Sequence, residues 1–114
     1  MPLSEFTRKL VETKLDKYCS GRIPEHSRHE VKLTYEIREN SVTLVEERRF
    51  YKDPSIWTKS AVAQFQFDDQ TKKWNLYCSD RNENWYINGS MKPSADFDDL
   101  LKEVDRDPMG IFWG

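Results

Sequence analysis

The sequence predicts an α+β fold, a single domain over residues 1–114 in which a five-stranded antiparallel meander sheet carries an N-terminal and a C-terminal helix on one face. Three observations lead there. Apolar residues recur at three-to-four spacing near both ends of the chain, they alternate at every second position through the middle, and turn-rich loops separate the alternating segments.

Ser4 is placed to cap the first helix, in which Phe6, Leu10, Val11, Leu15 and Tyr18 form an apolar stripe. Gly21 and Pro24 stop it, so a helix over 5–19 is expected. From residue 31 the period changes to two. Val31, Leu33, Tyr35 and Ile37 share one face of a strand, and Lys32, Thr34, Glu36 and Arg38 share the other. The turn "RENS" leads into a return strand that starts with Val42 and Leu44, runs through "EERRFY" and breaks at Asp53-Pro54. Three more strands follow. Ala61, Ala63, Phe65 and Phe67 alternate with Val62, Gln64 and Gln66; Trp74, Leu76 and Cys78 alternate with Asn75, Tyr77 and Ser79; Trp85 and Ile87 flank Tyr86. Beyond Asn88-Gly89, Ser94 is placed to cap a second helix with a Phe97, Leu100, Leu101 and Val104 stripe. Asp96, Asp98 and Asp99 suit its positive N-terminus, Pro108 ends it, and "MGIFWG" remains as an apolar tail.

A one-residue slip in a half-buried strand turns its apolar side chains to solvent, so matching faces sets a register for the last three strands. With four-residue loops "DQTK" and "DRNE", Phe67 faces Trp74, then Phe65, Leu76 and Ile87 form a row, and Ala63, Cys78 and Trp85 form the next. Cys78 is then a small core residue, and Asp80-Arg81 belongs to a hairpin loop. On the opposite face Gln64, Tyr77 and Tyr86 line up across three strands, followed by Gln66, Asn75 and Asn88. Uncharged amides and phenols in such a grid suit recognition, because they offer donors, acceptors and flat rings at low entropic cost.

Composition excludes several functions. The 20 acidic and 18 basic residues give a net charge of -2, which provides no global attraction to phosphate polymers or anionic lipid. Apolar runs are too short for a membrane span, the N-terminus lacks the layout of an export signal, and two widely separated cysteines fit reduced thiols, so a cytoplasmic protein is expected. Phosphate-loop, GxSxG and HExxH motifs are absent from the sequence.

Charges break the pattern of the second strand, where Glu46 and Arg48 share a face with Leu33 and Leu44. Either they pair at the core margin or a bulge redirects them. Together with His29 they are the residues on which a small hydrolase or nuclease-like site would rest. Cys19, His26 and His29, with Cys78 as a possible fourth, give an unfamiliar zinc spacing, so no metal or other cofactor is expected.

Trp57, "WNLYCSDRNENWYIN", "LLKEVDRDP" and the terminal "GIFWG" together resemble the domain-of-unknown-function 3024 family over nearly the full length. The resemblance implies a cytosolic bacterial protein without an established activity and transfers no catalytic residue. At Cys78 and Tyr86, similar proteins are expected to carry tryptophan and histidine.

The function expected from the residues is a non-enzymatic binding module. Gln64, Gln66, Asn75, Tyr77, Tyr86 and Asn88, with Arg81 at the rim, would meet a protein, a peptide or a single-stranded nucleic acid. The protein itself would be a monomer or a weak homodimer joined through strand edges or "IFWG".

Overall fold

A computed structural model describes residues 2–23, 26, 29–79, 84–88, 91–107, 110 and 112. The chain runs α1 (Glu5–Arg22), β1 (Val31–Arg38), β2 (Ser41–Phe50), β3 (Asp53–Asp68), β4 (Lys73–Ser79), β5 (Trp85–Ile87) and α2 (Phe97–Arg106). The strands pair antiparallel in the order β1-β2-β3-β4-β5, which is the predicted meander.

Ser4 caps α1 as expected, its hydroxyl accepting a hydrogen bond from the Thr7 amide. The helix passes through Gly21, where an added Cβ would meet nothing within 4 Å, and continues to Arg22. Its buried stripe is narrower than the sequence implies. Val11 and Leu15 are fully buried and Tyr18 packs beside them, whereas Phe6 and Leu10 point to solvent, because at about 3.6 residues per turn they lie well round the helix from that face. The N-cap of α2 is Asp96 rather than Ser94, with the Asp96 carboxylate accepting from the Asp98 amide at 3.0 Å. Ser94 instead extends the sheet, exchanging backbone hydrogen bonds of 2.7 and 3.0 Å with Trp74. Asp107, in the left-handed region at φ 42°, closes the helix by donating its amide to the Glu103 carbonyl.

Both helices cover the same sheet face. Val11 and Leu15 from α1 and Phe97, Leu100, Leu101 and Val104 from α2 meet Val42, Leu44, Val62, Ala63, Phe65, Trp74, Leu76 and Cys78. Phe97 sits edge-on to Phe65 and to Trp74, with ring centroids 5.0 Å apart in each pair. Phe112 is buried in this cluster, and its amide donates to the Asp107 carboxylate. The tail therefore contributes to the core of its own domain at that residue, which removes Phe112 as a free self-association contact.

The β3–β4 register is the predicted one, pairing Gln64 with Tyr77, Phe65 with Leu76, Gln66 with Asn75 and Phe67 with Trp74. Two other strand readings require correction. Leu44 opposes Ala63 but Val45 opposes Ala61, so Val62 is the extra residue of a β-bulge. Val62 and Ala63 both enter the core, and Ala61 moves to the opposite face. The strand also begins earlier than expected, at Asp53. Pro54 is accommodated in the irregular stretch between the Phe50–Asp53 and Arg49–Trp57 pairs, where it interrupts no ladder.

β5 is displaced by one residue from the predicted register. Tyr77 opposes Ile87, Cys78 opposes Tyr86 and Ser79 opposes Trp85. Face matching fixes a register only where one face is buried, and at this three-residue edge strand the helix layer has ended. Tyr86, on the helix side, is 47% exposed and Ile87, on the other, is 55% exposed.

Candidate binding surface

With both helices on one side, the other sheet face is open in the sense that neither helix covers it. In its centre the ladder places Gln64 beside Tyr77 and Gln66 beside Asn75, as expected from the sequence. The Gln66 amide donates to the Gln64 carbonyl oxygen at 2.7 Å, and Gln64 donates to the Thr43 hydroxyl at 3.1 Å. This chain of amides fixes the orientation of both glutamines. All four grid side chains are half-buried. Gln66, Asn75 and Tyr77 also line a cleft of about 650 Å³ that reaches past the β3–β4 turn towards Pro2 and Ser4.

The shifted β5 register removes two residues from this grid. Tyr86 lies on the helix side opposite Cys78, whose thiol is 3.8 Å from the Tyr86 carbonyl. Asn88 donates its amide to the Leu76 carbonyl and is 5% exposed. Trp85 and Ile87 take their places on the open face, next to Ser79 and Tyr77. Arg81 lies outside the described residues.

Beyond the Val62 bulge, β3 leaves β4 and continues with β2 and β1 as a three-stranded ribbon, where the open face carries a cluster that sequence reasoning missed. Trp57 stands opposite Arg49 in the ladder, and Lys59 stands opposite Glu47, which in turn faces Lys32 on β1. The Lys32 ammonium lies 4.4 Å from the Trp57 ring centroid, and the Arg49 guanidinium carbon lies 4.7 Å from it. Arg49 also donates to the carbonyls of His29 and, at 2.5 Å, of Pro54, tying β1's approach to the ribbon tip. Glu47, only 8% exposed, accepts a hydrogen bond from the Thr34 hydroxyl at 3.1 Å. The signal was present in "RRFYKDPSIWTK": once the strand is carried through Pro54, Trp57 falls opposite Arg49.

The charges that break the second-strand pattern lie at the core margin. Glu46 and Arg48 share the helix-side face, and Arg48 donates to Glu46 at 2.8 Å. Each thus has the other as its partner. The His29 ring lies 3.7 Å from Glu30, and the His29 carbonyl is taken by Arg49. Among the described residues no three His, Cys, Asp or Glu side chains cluster as a metal site. Cys19 lines a cleft between α1 and β1, where burial, with the Asp16 carboxylate adding to it, pushes its thiol from the usual 9.0 up to about 11. A thiol so shifted is protonated near neutrality and a poor nucleophile. Burial likewise raises Tyr35, whose hydroxyl donates to Asp16 at 2.7 Å, and Tyr18, which faces Asp105.

The family model "Domain of unknown function (DUF3024)" matches residues 3–114. The chain belongs to this family. No curated protein and no solved structure matches it. Among the described residues of this DUF3024 protein, no helix is long and apolar enough to cross a membrane.

Proposed function

We propose that this DUF3024 protein is a non-enzymatic binding module whose open sheet face receives an extended partner chain. The observation that supports the reading is the cross-strand grid of Gln64, Gln66, Asn75 and Tyr77 on a face that neither helix covers. Its amides are held in place by one another, so little side-chain entropy is lost when a partner replaces water. Tyr77 and Trp85 add flat apolar area on the same side. Catalysis is less well supported, because Glu46 and Arg48 are occupied with each other and the Cys19 thiol is held protonated.

Site-specific photocrosslinking tests the proposal. A benzophenone side chain at Tyr77 or Thr43, both on the open face, is expected to capture a macromolecule in extracts of the native cell, and one at exposed Thr13 of α1 is not. Equal capture at all three positions, or none at the two sheet positions, would defeat it.

A further inference from the structure

Resting on the binding-face reading above, we infer that the partner is a single-stranded nucleic acid whose phosphates are held at the ribbon end of the open face, around Trp57. Charge is distributed unevenly along that face. Near the grid it balances, with Arg38 and Lys73 offset by Glu36 and Asp68. Around Trp57, the cations Lys32, Arg49 and Lys59 outnumber the two carboxylates of Glu47 and of Glu30, the latter opposite Arg49 at the approach to β1. A chain with a net charge of -2 thus concentrates positive charge at one end of its uncovered surface.

The three cations differ in role. Arg49 is committed to the His29 and Pro54 carbonyls and to the indole, which positions the ring. Lys32 also lies on the indole, 4.4 Å from its centroid, but among the described residues neither Lys32 nor Lys59 forms an ion pair, so both ammonium groups can receive phosphate oxygens. Trp57 and Tyr77 lie on the same face, separated along β3 by the seven residues from Trp57 to Gln64, Tyr77's ladder partner, or roughly 20 Å of strand. Flat rings at both ends, amides between them and cations at one end match unstacked bases on a phosphate backbone. An acidic peptide would satisfy the lysines but would leave the stacking positions without planar partners.

The test is fluorescence anisotropy with a labelled oligouridine and an oligodeoxythymidine of about 12 nucleotides, a length within the site sizes of single-strand binders. Binding is expected to weaken as salt rises from about 50 to about 200 mM, and Lys32→Ala and Lys59→Ala are each expected to flatten the log–log salt slope by about 0.7. Trp57→Ala is expected to weaken binding on the order of tenfold, and Trp57→Phe, which keeps a ring, much less. If Trp57→Ala unfolds by circular dichroism, Trp57→Phe and the two lysine variants decide.

No binding to either strand at low salt overturns the inference, as do equal affinity for a duplex of the same length and lysine variants with the parent's salt slope. If both strands fail while Tyr77 crosslinks a protein, the nucleic-acid assignment falls and the binding-face reading stands. If both strands fail and the sheet positions capture nothing, both readings fall.

Discussion

The two halves of β3 share one strand and have opposite surroundings. From Ala63 to Asp68 the strand runs between β2 and β4, with Gln64, Phe65 and Gln66 paired on both sides, and Ala63 and Phe65 enter the core beneath Phe97 and its neighbours; from Asp53 to Ala61 it is paired only with β2. Stability is invested in the first half, and the ribbon half is held by side-chain contacts around Trp57 and by hydrogen bonds of Arg49 to backbone carbonyls. A rigid platform that carries a weakly held extension is a common way to present a recognition surface.

The largest effect tests the platform. Phe97→Ala removes a fully buried ring that touches Phe65 and Trp74 and is expected to cost about 3–5 kcal/mol in denaturant unfolding. The matching truncation on the ribbon, Trp57→Ala, is expected to cost about 1–2 kcal/mol, since the indole is half-buried on the uncovered face. Equal costs would mean that platform and ribbon form one cooperative unit, and the comparison would break.

Amide exchange sharpens the contrast without mutation. Amides of residues 55–59 are expected to exchange ahead of those of residues 63–66, and Arg49→Ala to accelerate the ribbon set while shifting the global midpoint by less than about 1 kcal/mol. Uniform acceleration of both sets would contradict the proposed division.

Alkali acts on the platform side. The folded Cys19 thiol titrates near 11, above its usual 9.0, so in alkali the folded chain binds more protons than the unfolded chain. Stability is therefore full below about pH 9 and declines as pH rises through 11, with Tyr18 and Tyr35 shifted in the same direction and extending the decline. Denaturation midpoints that stay flat from pH 8 to 11 would show that the helix–sheet cleft does not protect these groups. The smallest effect belongs to Glu46 and Arg48, for which a double-mutant cycle is expected to give a coupling of about 0.2–1 kcal/mol, since Arg48 is largely exposed.

Much of the platform was legible in the sequence because its alternation is locked by burial. Phe65 and Phe67 against Leu76 and Trp74 admit one register, and Cys78 had to be inside once those rows were set. The ribbon was not legible for the same reason in reverse. Most of its β3 residues before Val62 are exposed, the alternation of "AVAQF" gives no sign that Val62 is an extra residue, and Pro54 reads as a stop although the irregular tip accommodates it. The grid divides along the same line. Gln64, Gln66, Asn75 and Tyr77 were placed by their buried neighbours, whereas Tyr86 sits on an edge strand of three residues whose centre is exposed on both faces, and the one-residue shift of that strand carries Asn88 away from the grid as well.

The single extra residue at Val62 inverts the parity of β3. Odd-numbered residues face the helices at 63, 65 and 67 and face away from them at 57, 59 and 61. Selection can therefore act on two reading phases within one strand. In other members of DUF3024, the odd positions before residue 62 are expected to vary as the proposed ligand would require, and those after it as a core permits, so that the phase change would mark where packing ends and the proposed recognition surface begins.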